Sequence, residues 1–347
     1  MTSGSLSRAL PGAVGRRWTR GLWITAALAA FALMSVWLGL RVGRGSAQDA
    51  SMRELFFTMR AYRLGVAFFA GGALAVAGTV VQGLLRNPLA SPQILGCNAG
   101  ALLGGKIALM TCFIALGGRA LPYVSPEMMV PIGCILGAFL ALGAVLSVTS
   151  LRSNTITLVL TGFVLNGIFL SVGTFLSNSA QDYVELNRAL NTFAAGTISG
   201  AGSRQLLLIA VLSFAGVLPS LLWSRSLDVL LSGEEEAAAL GVEVPRVRFW
   251  CVVWASLLSA GAVAVGASVG FIDLITPHVV RRFTGPAHRY VLPASFVLGG
   301  SFLILCDALC RVIPFKHELP LQVVADLLGG PAFLWMLRRL GTERAHD

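Results

Sequence analysis

Few residues in this chain are of the types that carry out chemistry, and their spacing fits no common catalytic or metal-binding motif. The 347 residues include only four histidines, and none stands in the H-E-x-x-H spacing of a zinc hydrolase. The sequence also lacks G-x-x-x-x-G-K-(S/T), so the chain has no P-loop for ATP phosphates. The six cysteines lie in apolar segments without a C-x-x-C pair, as is typical of small buried side chains. We therefore expect no enzyme activity, no cofactor and no metal site.

The ionisable residues inside apolar segments are the remaining candidates for chemistry. Lys106, Asp307 and Asp326 interrupt such segments, and Asp273 lies near the end of one. Ionisable groups are costly in lipid, so each indicates either a function or a partnered structural role. An ion-coupled transporter would need paired acidic groups at the middle of the membrane, and the sequence shows no such chain. For Asp273, contact with a cargo and helix capping are both open.

The composition requires a membrane protein, because hydrophobic residues make up 56% of the chain and charged residues only 12%. A soluble domain has about 25% charged residues. Several segments have no charged residue and reach the roughly 20 residues that cross a bilayer as a helix. They are 21–40, 64–85, 128–151, 153–181, 205–224 and 249–272. With the interrupted segments, we predict an all-α membrane protein of about ten transmembrane helices, at 21–41, 61–83, 93–115, 127–149, 155–178, 204–223, 247–267, 271–284, 290–312 and 321–340.

The net charge of +10 does not indicate nucleic-acid binding, because the arginines are spread over many loops instead of one face. With ten spans, the side that holds the N-terminus carries more arginine than the other side. The positive-inside rule then places both termini in the cytoplasm. We expect residues 1–20 to be a disordered cytoplasmic segment, 21–340 a single membrane domain, and 341–347 a cytoplasmic tail.

The stretch from Gln82 to Ala101, QGLLRNPLASPQILGCNAGA, is the most specific motif in the chain. It joins two apolar runs and contains one cation, Arg86, followed by Asn87-Pro88. A polar, proline-containing turn must lie at the membrane interface or inside protein, because lipid cannot satisfy its backbone. The charge distribution places it on the cytoplasmic side. We predict that Arg86, Asn87 and Pro88 form a conformational joint there.

Four motifs, in the same order along the chain, resemble the FecCD family of permease subunits of type II ABC importers. The stretch from Gln82 to Gly96 is similar to Q-x-x-x-R-N-P-L-A-x-P-x-x-L-G, and Gly270–Arg289 is similar to G-F-(I/V)-G-L-x-x-P-H-x-x-R followed by G-x-x-H-R. Gly233–Val242 is similar to the family's coupling loop, G-E-x-A-x-x-L-G-V. Glu318–Trp335 is similar to its E-L-P motif and the G-x-P-x-F-x-W that follows. Asp273 departs from the pattern, since the family usually has glycine there.

The resemblance implies a permease of the bacterial inner membrane with three kinds of protein partner and a lipid surround. The partners are a second permease, identical or similar, two cytoplasmic ABC ATPases, and a periplasmic substrate-binding protein. The cargo expected from the resemblance is an iron–siderophore complex, with haem or cobalamin as alternatives. An ion-coupled secondary transporter remains the alternative of another class.

The resemblance also implies where the ATPase contact lies. The cytoplasmic loop 224–246 would insert into a groove on the ATPase, through leucine anchors and a run of acidic residues. From the sequence, Ser232 caps a helix over Glu234–Leu240, and Gly241 ends it. A solvated connector is the alternative for this loop. The predicted contact residues are Leu227, Leu230, Leu231, Gly233, Glu234, Glu235, Glu236, Leu240 and Gly241.

Three arginines on the outer side match family positions that pair with acidic residues of the binding protein. They are Arg60, Arg63 and Arg311. Arginine suits that contact because its planar fork binds carboxylates bidentately. Anchoring at the membrane interface is the equal alternative. The translocation path is expected to include Asn166, in the middle of the fifth span, and Asp273.

Overall fold

The computed structural model describes residues 11–42, 50–115, 126–149, 155–198, 200–266, 268–312 and 319–343. The regular structure in these ranges is helical throughout, as predicted. The α-helices are α1 (Pro11–Arg41), α2 (Ala50–Leu85), α3 (Cys97–Met110), α4 (Pro126–Val148), α5 (Thr155–Ser179), α6 (Val184–Ala195), α7 (Ser203–Leu222), α8 (Ser224–Leu230), α9 (Glu234–Ala239), α10 (Val244–Ala264), α11 (Ile272–Thr284), α12 (His288–Val312) and α13 (Leu321–Glu343). A 3-10 turn (Pro92–Leu95) precedes α3, and a π-helical turn (Thr111–Ala115) follows it.

Eight helical spans are long and apolar enough to cross a membrane, namely α1 to α5, α7, α10 and α12, with α3 extended through the π-helical turn to Ile114. Helices α11 and α13 account for the two shorter predicted spans, of which α13 is apolar over Leu321–Met336. The all-helical membrane architecture is therefore confirmed, and about ten spans fit the structure.

The helices at the two ends are longer than predicted. The first begins at Pro11, so residues 11–20 are helical and the prediction of disorder fails for them. Proline is well suited to a first helical position because the missing N–H has no helical partner there. Helix α13 continues to Glu343, three residues into the predicted tail. Once a helix has formed, each added residue gains a backbone hydrogen bond, which favours such extensions. Residues 1–10 and 344–347 lie outside the described residues.

Helix α2 is the centre of the bundle. A helix that is apolar on all sides is expected in a protein interior, and 83% of the most apolar part of α2 is buried. Its C-terminal half packs in a cluster that includes Leu84, Leu227 and Leu292, and so joins α2 to α8 and α12. Its N-terminal half packs in a second cluster with Leu303 and Ile304 of α12.

Glycines allow close helix contacts at two crossings. In the α3–α4 crossing, a Cβ added to Gly104 would lie 2.1 Å from the carbonyl oxygen of Gly133, and one added to Gly137 would lie 2.2 Å from that of Gly100. In the α2–α12 crossing, a Cβ at Gly71 would lie 2.4 Å from the oxygen of Gly299. Small residues bring backbones together in this way in membrane bundles, and here they allow both the α3–α4 and the α2–α12 crossings.

Helix α5 differs from α2 in exposing most of its apolar surface. Only 17% of its most apolar part is buried, and its exposed side chains include Phe163, Val164 and Phe175. Such a surface is stable in contact with lipid or with another protein. All six cysteines are free, and five of them are buried, as predicted for small apolar side chains.

Candidate functional site

The segment between α7 and α10 folds into two short helices, α8 and α9, and α9 is the helix predicted over Glu234–Leu240. The N-cap of α9 is Gly233, whereas the sequence indicated Ser232. Gly233 adopts φ 136°, a conformation that favours glycine. The hydroxyl of Ser232 instead donates back to the Val229 carbonyl at 2.7 Å. Gly241, at φ 85°, follows the end of α9 as predicted.

The inner face of this segment is part of the protein core. Leu227 and Leu230 are fully buried in the cluster that joins α8 to α2 and α12. The predicted role of these two leucines as contacts for a partner is therefore wrong. Their burial follows from the local geometry, because residues three apart on a helix lie on one face, and that face of α8 packs on α2.

The outer face of the segment is exposed and combines leucines with acidic residues. The side chains of Leu231 and Leu240 are 43% and 71% exposed, and Glu235 and Glu236 are exposed beside them. Glu234 is half-buried and pairs with the buried Arg248 of α10 at 2.8 Å. Of the predicted contact residues, Leu231, Glu235, Glu236, Leu240 and Gly241 are thus accessible, and we call this set the α8–α9 face.

An aspartate and a histidine that the sequence did not single out tie α8 to α12. The backbone N–H of His288, the first residue of α12, donates to Asp228 Oδ1 at 2.8 Å. Its side-chain Nδ1 lies 2.6 Å from the same oxygen. His288 belongs to the motif from Gly270 to Arg289, but its partner stands 60 residues away in sequence. No local sequence pattern reveals a contact over that separation.

The predicted joint follows α2 directly and lies near this pair. Arg86 has a left-handed backbone, with φ 50°, which ends α2. The Asn87 side chain then accepts from the Leu89 N–H at 2.9 Å, and the Asn87 carbonyl accepts from Ala90 at 3.1 Å. Arg86, Asn87 and Pro88 are all exposed. The turn is thus built by its own backbone and by the asparagine, and its side chains face away from the core.

Gln82, one turn before the joint, fixes α2 to α11. Its side-chain amide nitrogen lies 3.3 Å from the backbone oxygens of Asp273 and Leu274, and its oxygen accepts from Arg281 Nη1 at 2.5 Å. One buried glutamine therefore holds both ends of α11. The end of α2, α11 and the start of α12 meet at this point.

Asp273 does not line a path, contrary to the prediction. It is only 2% exposed, and its carboxylate accepts from the hydroxyl of Ser91. The backbone of Asp273 packs against Gly78, two turns before the end of α2. Asp273 therefore lies inside the protein near the joint. Asn166 is half-buried on α5, beside Gly96.

The three predicted docking arginines converge on the opposite end of α2. Arg63 donates to Asp307 at 2.7 Å, and Arg311 approaches the other oxygen of that carboxylate at 3.1 Å. Arg60 and Arg311 also donate to the carbonyls of Leu40 and Val42, at 3.1 and 2.7 Å. The predicted docking role is contradicted for Arg63 and Arg311, because both guanidinium groups are used inside the protein. Of the two roles that the sequence left open for Asp307, the structure shows the partnered structural one.

The two polar regions lie a membrane thickness apart. Arg63 and Gly83 both belong to α2, and 20 residues of helix separate them, which is about 30 Å at 1.5 Å per residue. The hydrocarbon core of a bilayer is also about 30 Å thick. The arginine cluster and the α8–α9 face thus fit opposite membrane surfaces.

Lys106 is the cation within α3, and acceptors on α5 offset the cost of placing its charge inside the protein. Its Nζ donates to the Gly173 carbonyl at 3.0 Å and to the Ser177 hydroxyl at 2.9 Å. Both acceptors lie near the C-terminus of α5, where a helix favours a positive charge. This lysine therefore has a structural role between α3 and α5.

The described helices, the central α2 and the short helices α8 and α9 define a multi-pass membrane permease. The chain matches the FecCD transport family over residues 21–339 and belongs to that family. It is a transport subunit, and not an enzyme.

Three comparisons illustrate the relationship. The chain is 35% identical to the Fe(3+) dicitrate transport system permease protein FecD of Escherichia coli (strain K12), over 92% of this chain and 98% of that protein. It is 32% identical to the hemin transport system permease protein HmuU of Yersinia pestis, over 89% and 90%. A solved structure of a metal-chelate type ABC transporter in an inward-facing conformation is similar with a TM-score of 0.80 and 27% identity, over 90% of this chain and 98% of that one.

Proposed function

We propose that this chain is the permease subunit of an ATP-driven importer that moves an iron–siderophore complex across the bacterial inner membrane. The single observation that carries the ATP-driven mechanism is the α8–α9 face. Its exposed leucines and glutamates stand on a segment whose inner leucines are fixed in the core. Leucines of this kind fit an apolar groove on a partner, and acidic residues steer it.

The names of the relatives support a metal complex as cargo. FecD is named for iron(III) dicitrate and HmuU for hemin, and a relative 33% identical in Vibrio vulnificus is named for vitamin B12. These names support a bulky metal chelate. Among them we place the siderophore first, with haem and cobalamin as the alternatives, and we propose that selectivity resides in the binding protein.

The proposed assembly has two permeases, two cytoplasmic ATPases and a periplasmic binding protein. The exposed apolar surface of α5 supports the presence of a second permease, which is either identical or similar.

We place both termini, the joint and the α8–α9 face in the cytoplasm. At the periplasmic end, Arg60 keeps the proposed docking role, because it is half-buried, whereas Arg63 and Arg311 share the carboxylate of Asp307. Asn166 on α5 keeps its proposed place in the translocation path.

The structure gives less support to an ion-coupled transporter. That mechanism needs ionisable groups that exchange partners at the middle of the membrane. Lys106 is held by a carbonyl and a hydroxyl of α5, and Asp307 is held by arginines near the end of α12. Both groups therefore act as fixed structural links.

Uptake into proteoliposomes tests the proposal. The chain is reconstituted with its ATPase and binding protein, and uptake of a radiolabelled ferric siderophore is measured with ATP and a protonophore present. We expect uptake that requires ATP and survives the protonophore. Loss of uptake with the ion gradient while ATP remains would overturn the ATP-driven mechanism. Uptake of hemin or cobalamin in place of the siderophore would correct the cargo alone.

A further inference from the structure

We propose that His288 is a positioning residue that transmits movement of the α8–α9 face to the joint at the end of α2. The inference rests on the proposed function, since it needs an ATPase that moves this face. It adds the specific internal link between the surface that the ATPase would contact and the core helix. Two sets of contacts, one on each side of the imidazole, carry it.

The first set fixes His288 to α8. Asp228 Oδ1 receives both the backbone N–H and the Nδ1–H of His288, at 2.8 and 2.6 Å. The carboxylate thereby caps the N-terminus of α12 from a different helix, where a negative charge is favoured by the unpaired N–H groups. Asp228 is separated by only two residues from Leu231 of the α8–α9 face. Displacement of that face therefore acts directly on the start of α12.

The second set places the same imidazole on α2. The side chain of His288 is fully buried, and a Cβ added to Gly83 would lie 2.4 Å from its Nε2 and 3.0 Å from its Cε1. The ring thus rests on the backbone of α2 at Gly83, where any larger residue would displace the imidazole. His288 is consequently a rigid spacer between Asp228 on one side and Gly83 on the other.

Gly83 is the last fixed point before the joint. Its carbonyl faces the N–H of Arg86 at 3.4 Å, and Arg86 is the residue with the left-handed backbone that ends α2. The neighbouring Gln82 is held by Arg281 of α11. Protein interiors are close-packed and deform little. A shift of α8 is therefore expected to move the ring, the end of α2 and the joint together.

The test measures coupling separately from assembly. Wild type, His288→Ala, His288→Asn and Asp228→Ala are reconstituted with the ATPase and binding protein, and ATP hydrolysed per ferric siderophore imported is determined. We expect His288→Ala and Asp228→Ala to raise this ratio several-fold while ATPase co-purification and the KM for ATP stay unchanged. Asparagine retains a donor near the position of Nδ1, so His288→Asn should lie closer to wild type.

A second-site pair tests the contact with α2. Gly83→Ala should raise the same ratio because the added methyl meets the imidazole, and His288→Asn in the same chain should relieve the effect by removing Cε1 and Nε2. Gly143→Ala is the matched control, because a Cβ at that helical glycine has open space within 4 Å. If His288→Ala fails to fold, the proposal is tested by Asp228→Ala and by Gly83→Ala with and without His288→Asn.

Two outcomes separate this inference from the proposed function. Suppose that wild type imports with ATP and that the His288, Asp228 and Gly83 variants all hydrolyse as much ATP per ferric siderophore as wild type. The positioning role is then overturned and the proposed function stands. If wild type shows no ATP-dependent import of any metal chelate, the proposed function fails, and the inference fails with it.

Discussion

Arg63 of α2 and Asp307 of α12 form a buried ion pair of 2.7 Å, and Arg311 shares the same carboxylate. The aspartate is 1% exposed, so it neutralises two cations in a place where water does not reach. Removing one partner of a buried pair leaves an uncompensated charge, which typically costs about 3–5 kcal/mol. The pair therefore joins α2 to α12 and stabilises their crossing.

From this pair we predict that Asp307→Ala lowers the free energy of unfolding by about 3–5 kcal/mol. The reason is that Arg63 and Arg311 would both lose their carboxylate. The measurement is the thermal unfolding temperature of the purified protein in detergent. The exposed Asp182, in the turn between α5 and α6, supplies the control Asp182→Ala, which should unfold like wild type. Equal unfolding temperatures for both variants would contradict the prediction.

A second prediction distinguishes the exposed leucines of the α8–α9 face from the buried leucines of α8. Leu231→Asp and Leu240→Asp should abolish co-purification of the ATPase while the permease keeps its fold, because both side chains are exposed. Leu230→Ala should instead destabilise the permease by about 2–5 kcal/mol, the usual cost of truncating a buried leucine. Pull-down of the ATPase and thermal unfolding are measured on the same preparations. Normal ATPase binding by Leu231→Asp and Leu240→Asp together would remove the face from the coupling surface.

These neighbouring leucines also show what the sequence predicted and what it did not. The four ordered motifs and the apolar segments predicted the family, the helical fold and the short helix that begins at Glu234. They did not separate Leu230 from Leu231, because burial in this loop depends on how α8 packs on α2 and α12. Asp273 was misplaced for a similar reason, since the position of α11 is set by Gln82, almost 200 residues earlier in the chain. Arg63 and Arg311 matched docking positions, but their shared aspartate became evident only from the crossing of α2 with α12.

A third prediction concerns the crossing of α3 and α4. Gly104→Ala should destabilise the permease, because the added Cβ would lie 2.1 Å from the Gly133 oxygen and backbone must move to admit it. Gly143→Ala, on α4 with open space around the added Cβ, should be neutral or slightly stabilising, since alanine favours a helix by roughly 1 kcal/mol over glycine. Thermal unfolding of the two variants provides the comparison. A Gly104→Ala protein as stable as Gly143→Ala would show that the crossing is looser than described.

The last prediction concerns the side of the membrane on which the joint lies. Asn87 is exposed in the turn after α2, and Asp182 is exposed after α5. Asn87→Cys and Asp182→Cys are each introduced into a chain whose own six cysteines are replaced by alanine or serine. In right-side-out vesicles, a membrane-impermeant maleimide should label the cysteine at 182 and spare the one at 87. In inverted vesicles the pattern should reverse, because α3, α4 and α5 are each long enough to span the membrane between them and three crossings put the two positions on opposite sides. Labelling of both cysteines from the same side would contradict the proposed topology, and labelling of residue 87 from outside would move the joint and the α8–α9 face away from the ATPase.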